Sequence, residues 1–231
     1  MVPIAAVLFD LDNTLHDRDR AFRSWVAWFV RERLGIAAGP ERDDAARFIV
    51  DLDAERHGSK DALFRRIAEC YPALTEEADA LVESFRIDML THLGPPDPGT
   101  LHLLDALDAG RIPWGVVTNG SAAQLDRVRA LGLAERPTCV VVSEVVGLRK
   151  PDPAIFLLGA ERLGAGLGRT LFVGDNPKAD IVGARRTGMR TAWLRHGRDW
   201  PASLYPVAPD LTLDALGDLL PLLGLDAAQG P

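Results

Sequence analysis

The chain has 231 residues, enough for one large domain or two small ones and ample for a sizeable core. Its 47% hydrophobic and 26% charged residues are those of an ordinary soluble globular protein. The net charge of -7 leaves no basic surplus to neutralise a nucleic-acid backbone, which excludes non-specific nucleic-acid binding but not small phosphorylated ligands held by a local cationic site.

The first element is the apolar run Ala6 to Phe9, which reads as a buried strand of a parallel sheet. It ends in carboxylates: Asp10 and Asp12 lie two residues apart, and Thr14 follows two further on. Residues two apart on an extended chain point the same way, so two carboxylates and a hydroxyl crowd the end of a core strand. Like charges that close destabilise one another unless something offsets them.

From Asp17 to Leu93 the chain reads as helices only. "AFRSWVAWFVRERLG" sets Phe22, Trp25, Val26, Phe29 and Val30 at helical spacing, with Gly35 as a stop. "PERDDAARFIVDLDAERHG", "SKDALFRRIAECY" and "TEEADALVESFRIDML" continue the pattern, with Ser59 and Thr75 as expected N-caps. Trp25, Trp28 and Phe29 are read as packing residues, and His57 as a surface or satisfied histidine. "GPPDPG", residues 94–99, is a loop by its turn residues.

Strands and helices then alternate. "IPWGVVTNG", "TCVVVSE", "TLFVGDNP" and "RTAWLRHG" are apolar runs that end in polar residues. "SAAQLDRVRALG", "PDPAIFLLGAERLG" and "KADIVGARRTG" are the helical stretches between them, and "DLTLDALGDLLPLLG" adds a short strand and a terminal helix. The closing "DAAQGP" reads as frayed. The pattern implies an α/β domain with a Rossmann-like parallel sheet and helices on both faces. That domain would comprise 1–16 and 94–231, interrupted by an all-helical insertion over 17–93. Ligands bind beyond the carboxyl ends of such strands, so Asp10, Asp12, Thr14, Thr118, Asn119, Lys150, Asp175 and Asp180 are expected to converge.

Four carboxylates in one place call for a cation, and Mg2+ prefers carboxylate, carbonyl and water oxygens. Lys150 adds a fixed positive charge, and Thr118 and Asn119 add uncharged donors. The inventory suits a phosphoryl group.

"DLDNT", "VVTNG", "LRKPDP" and "VGDNPKADI" resemble, in order and spacing, the four motifs of the haloacid-dehalogenase-like hydrolase superfamily. The likeness runs from Val7 to about Leu194, and the helical insertion resembles the family's type-1 cap. The resemblance implies a Mg2+-dependent phosphomonoester hydrolase. Asp10 would be the nucleophile that forms an aspartyl-phosphate. Asp12 would be general acid toward the leaving oxygen and then general base for water. Thr118, with Asn119, would hold the phosphoryl oxygens, and Lys150 would stabilise the charge. Asp10, the Asp12 carbonyl and Asp175 would hold Mg2+. Asp180 would orient Lys150 or a metal-bound water, and Thr14 would buttress the turn.

Three other readings stand beside this one. A 2-haloacid dehalogenase also uses an aspartate nucleophile but needs no metal, and the residue two after its nucleophile is not normally acidic; Asp12 speaks for phosphoryl chemistry. A phosphosugar mutase keeps both aspartates and stays open. A non-catalytic module has no reason to keep such costly crowding. The expected partner is a small phosphorylated metabolite, selected by the helical insertion, where no residue names it. Neither nucleic acid nor membrane is expected: no apolar segment approaches the about 20 residues of a span. "MVPIAAVLFD" lacks a signal peptide's positive n-region, and Cys70 and Cys139 form no CxxC pattern. These features point to the cytoplasm, and the sequence assigns no oligomeric state.

Overall fold

Six strands form one parallel sheet in the order β3-β2-β1-β4-β5-β6 in the computed structural model, which describes residues 3–55 and 60–225. Ser59, His57 and the closing 226–231 lie outside the described residues. The strands are β1 Ala6–Phe9, β2 Trp114–Thr118, β3 Cys139–Val142, β4 Thr170–Gly174, β5 Arg190–Leu194 and β6 Leu211–Leu213. β1 pairs with both β2 and β4, placing Phe9 beside Val116 and Val173. The order reverses at β1, which is the switch point where open α/β sheets bind ligands.

Every residue of β1 is fully buried. Successive strand side chains point to opposite faces, so both faces must be covered. On one face Ala6 and Leu8 pack with Val117, Val141 and Phe172 under Ile155, Phe156 and Ala160 of helix α8, Pro153–Leu163. Phe156 meets Phe172 edge-on at 4.9 Å between ring centres. On the other face Phe9 meets Trp114 edge-on at 6.1 Å, and the Trp114 indole donates at 2.7 Å to Asp108 of helix α5, Pro98–Ala109. Burying a large apolar side chain of this kind is worth about 1.5–3 kcal/mol. The other α-helices described in this unit are α6 Ala123–Ala130, α7 Ser143–Val146, α9 Gly183–Arg185 and α10 Leu219–Leu222. A π-helical turn, Pro177–Val182, follows β4. α5 is absent from the sequence reading, although Asp97 caps it from its side chain and Pro98 fills its first turn.

The chain divides into two compact units, residues 1–17 with 95–231, and residues 18–94. The second unit holds α1 Arg18–Glu32, α2 Pro40–Glu55, α3 Lys60–Cys70 and α4 Ala78–His92. Trp25 is its centre, stacked on Phe22 and Phe29 and meeting Phe64 and Phe85 edge-on. Trp28, half-buried, lies against His92. Lys60 is paired with Asp53 and sits 5.2 Å from the Phe22 and Phe85 ring centres. Thr75 does not cap α4: the cap position is Glu77, with no side-chain hydrogen bond. The seam Leu81, Val82, Phe85 and Met89 is buried, and packing of that seam rather than a hydroxyl sets where the helix begins. Among the described residues no helix is long and apolar enough to cross a membrane.

Candidate active site

The turn after β1 is built on one carbonyl. The N–H groups of Thr14, Leu15 and His16 all converge on Leu11 O, at 3.3, 3.0 and 3.1 Å. Asn13 takes φ 57°, a left-handed conformation that asparagine tolerates, and its N–H meets His16 O at 2.7 Å. The Asp10 N–H is tied to Val173 O of β4 at 2.9 Å. Asp10 and Asp12 are thus presented from one rigid turn, with Thr14 buried inside it.

Lys150 is the hub of the charges. Its Nζ lies 2.8 Å from Asp10 Oδ1 and 2.7 Å from Asp180 Oδ1, and the residue is 3% exposed. Asp10 Oδ1 also accepts from the Leu11 N–H at 2.7 Å. Lys150 and Leu11 share that one oxygen, and no donor among the described residues bonds to Oδ2. Asp180 is fully buried, and its Oδ2 accepts from the Asn176 N–H at 2.9 Å. Asn119, expected to hold a phosphoryl oxygen, bonds the backbone of Lys150 with its side chain. Its Nδ2 donates to Lys150 O at 3.0 Å, and its Oδ1 accepts from the Lys150 N–H at 2.9 Å. Each end of the amide makes one bond to the lysine backbone, which ties Lys150 to the end of β2, and the second Nδ2 hydrogen stays available. Thr118 is buried at the end of β2, and its hydroxyl accepts from Gln124 at 3.1 Å.

Asp175 follows β4, beside the strand that carries Asp10. Trp193 Nε1 donates to its carbonyl at 2.9 Å, and Arg198 reaches both that carbonyl, at 2.9 Å, and the carboxylate, at 3.2 Å. Carboxylate oxygens of Asp10, Asp175 and Asp180 lie within 4.8 Å of one another. Burial pushes Asp10 up to about 7 against the pull of Lys150, with the Asp180 and Asp12 charges adding to the rise. Burial, with the charges of Asp180 and Asp10, pushes Asp175 up to about 8 against the pull of Arg198. Burial acts to lower Lys150, but Asp10 and Asp180 outweigh it and hold the ammonium charged. A buried, all-oxygen donor set whose anions are this uncomfortable fits a hard dication.

Asp12 is held from α6. Gln124 Nε2 donates to its Oδ2 at 2.9 Å, and Arg127 Nη1 lies 3.2 and 3.3 Å from its two oxygens. Gln124, Arg127 and Arg198 are absent from the sequence reading. The first two sit six and nine residues after Thr118, one helical turn apart, which is the only trace they leave in the sequence. His196, also unread, donates from Nε2 to Asn13 O at 2.7 Å, so the segment after β5 grips the turn after β1.

Gly174, the last residue of β4, is required by the lysine hub. A Cβ there would stand 2.6 Å from Asp180 Cβ and collide with its carboxylate. Gly174→Ala is therefore expected to displace Asp180, and with it Lys150. Overpacking of this sort costs about 1–3 kcal/mol, and misplacing a catalytic group by about 1 Å costs about 10²-fold in rate. A thermal melt beside a kcat measurement checks both effects, and unchanged kcat would refute the coupling.

A family model described as haloacid dehalogenase-like hydrolase matches residues 4–188. The chain is 37% identical over 223 residues to the pyrimidine 5'-nucleotidase YjjG of Escherichia coli (strain K12), covering 94% of this chain and 96% of that protein. It is 31% identical over 228 residues to a glyceraldehyde 3-phosphate phosphatase of Methanopyrus kandleri, again covering 94% and 96%. Among solved structures, a 2-haloacid dehalogenase from Pseudomonas syringae pv. Tomato DC3000 superposes with a TM-score of 0.65 at 29% identity, covering 96% of this chain and 98% of that one.

Proposed function

Because this chain belongs to the haloacid dehalogenase-like hydrolase family, we propose that it hydrolyses the phosphomonoester of a small phosphorylated metabolite through an aspartyl-phosphate on Asp10. The observation that carries the reading is the pairing of two unlike carboxylates on one turn. Asp10 is buried and bound by Lys150, with one oxygen that no donor among the described residues reaches; Asp12, two residues on, is held by Gln124 and Arg127. A nucleophile and a separate proton carrier are what ester cleavage by way of a covalent intermediate needs. A dehalogenase expels halide, which needs no proton, so a held carboxylate at position 12 favours the phosphate ester.

Two half-reactions follow. In the first, a carboxylate oxygen of Asp10 bonds to phosphorus, the bond from phosphorus to the leaving oxygen breaks, and that oxygen takes a proton from Asp12. In the second, water bonds to phosphorus, its proton goes to Asp12, and the phosphorus–Asp10 bond breaks to release inorganic phosphate. Lys150 keeps Asp10 oriented and offsets charge on the phosphoryl group, and the Thr118 hydroxyl is available to a phosphoryl oxygen. Asp10, Asp175 and the Asp12 carbonyl would hold Mg2+, which when bound supplies positive charge against carboxylates and phosphate. Asp180, anchored by Asn176 and Lys150, orients the lysine.

Substrate choice is assigned to the helical unit, acting as the cap. The two curated relatives hydrolyse a nucleotide and a triose phosphate, so pyrimidine nucleoside 5'-monophosphates and short sugar phosphates head the panel to be screened. The test measures phosphate release across that panel with Mg2+ and with EDTA, and acid quenching with mass spectrometry to find the phosphoryl group on Asp10. Release of phosphate with label on Asp10 supports the reading. Phosphate retained on an isomerised sugar would make the protein a mutase, and metal-free halide release from 2-haloacids a dehalogenase.

A further inference from the structure

Asp12 is the group whose work is hardest to do from a carboxylate free to rotate. As proton carrier it must meet the leaving oxygen in one step and a water in the next, from the same place. A side chain left to sample its rotamers loses much of that advantage, because a reacting group off by about 1 Å costs about 10²-fold. The turn after β1 fixes the backbone of Asp12. Two donors from a different element reach that carboxylate, Gln124 and Arg127, 112 and 115 residues away in the chain.

Several features of α6 fit this task. Gln124 and Arg127 are one turn apart, on the same side of the helix, where both can reach a single target. Gln124 is 4% exposed, and the Arg127 side chain 12% exposed, so neither is a solvated polar residue that brushes past. The Gln124 amide splits its two hydrogens between Asp12 Oδ2, at 2.9 Å, and Thr118 Oγ1, at 3.1 Å. By taking a lone pair of the Thr118 hydroxyl, it leaves the hydroxyl's own hydrogen to donate. Room for this arrangement is provided by Gly120: a Cβ there would lie 2.7 Å from Gln124 Cγ. Arg127 brings a charge as well as a hydrogen-bond donor to a carboxylate whose own charge bears on Asp10.

Resting on the phosphatase reading, we infer that Gln124 and Arg127 are positioning residues for the proton carrier, holding the Asp12 carboxylate at the leaving oxygen. The residues act through Asp12, so their loss should show wherever the leaving oxygen needs a proton and little where it does not. p-Nitrophenolate leaves readily without one; phenolate does not.

The test follows the first turnover by rapid quench, in the presence of Mg2+, with p-nitrophenyl phosphate and phenyl phosphate. Wild type, Gln124→Leu, Arg127→Met and Arg127→Lys are compared. Full loss of general acid assistance is worth about 10²–10⁴-fold, so partial misplacement should slow phosphorylation by phenyl phosphate by about 10- to 100-fold while p-nitrophenyl phosphate slows by less than about threefold. Arg127→Lys should recover part of the phenyl phosphate rate, since it restores a cation. A structural defect would slow both esters alike, and that result overturns the inference, as does no change with either. Faster phosphorylation in Arg127→Met also overturns it, because the arginine would then be holding Asp12 away from the ester. Gln124→Leu and Arg127→Lys keep the test decisive if Arg127→Met does not fold. Wild type that forms no phosphoenzyme and releases no phosphate from either ester or the metabolite panel overturns the phosphatase reading, and this inference with it; active wild type with parallel losses overturns this inference alone.

Discussion

Asp10→Asn is expected to abolish phosphate release while leaving a folded protein. An amide is not a nucleophile at neutral pH, so no covalent phosphoenzyme can form. The loss should exceed the about 10²–10⁴-fold that removal of a proton carrier costs, because the bond-forming atom itself is gone. Stability is expected to hold or rise. Burial and the neighbouring carboxylates already disfavour the Asp10 anion, so a neutral group of the same shape removes a charge the interior penalises. Lys150 keeps Asp180 at 2.7 Å and does not become an unpaired buried cation. The measurements are steady-state phosphate release, acid-quench detection of the phosphoenzyme, and a thermal melt in EDTA. Turnover above a tenth of wild type would remove Asp10 from the nucleophile's role, and collapse of the fold would make its role structural.

The same residue shows what the sequence discloses and what it conceals. Asp10 and Asp175 are legible because each ends a run of buried apolar residues, and a carboxylate at such a place has no structural excuse. The parallel order of the strands makes the two neighbours: β1 pairs directly with β4. Lys150 is legible only through the motif around it, since an isolated lysine reads as solvent-facing. What the chain conceals is the second layer of contacts. Asn119 is the residue type expected of a phosphate donor, and its amide also bonds the backbone of Lys150, 31 residues away, which no local pattern announces. Gln124 and Arg127 lie in a helix with Asp126 and Arg129, and charged residues at that density read as a solvated face. Arg198 sits between strands, where there is no periodicity to interpret. α5 was hidden by the turn residues before it, although Asp97 and Pro98 are also a helix start. For Asn119, Gln124, Arg127 and Arg198 the missing information is a long-range contact, and side-chain donors become legible only once the fold has said what they face.

Chelation should then act on both activity and stability. Activity is expected to fall to background in EDTA and to return with Mg2+, because Asp10 and Asp175 otherwise repel each other and the incoming phosphate. Asp175→Asn should weaken Mg2+ binding, read directly by calorimetry, by more than the about 10–100-fold that loss of a neighbour supporting a metal ligand costs. Stability of the metal-free protein also varies with pH. Asp10 and Asp175 titrate at about 7 and about 8 in the folded state, against 3.8 for the unfolded carboxyl. Below 3.8 both states are protonated and neither group penalises folding. Between there and about 8 the folded state binds more protons than the unfolded one, so stability falls as pH rises through that window. The melting temperature in EDTA is therefore expected to rise as pH is lowered from about 8 to about 5, and saturating Mg2+, which favours the ionised carboxylates, should flatten the curve. Metal affinity should drop over the same range, by up to about tenfold per pH unit for each proton displaced. If the thoroughly dialysed protein kept full turnover in EDTA, the carboxylates would be serving chemistry without a metal. A melting curve that shifted with neither Mg2+ nor pH would show that the cluster is not its binding site.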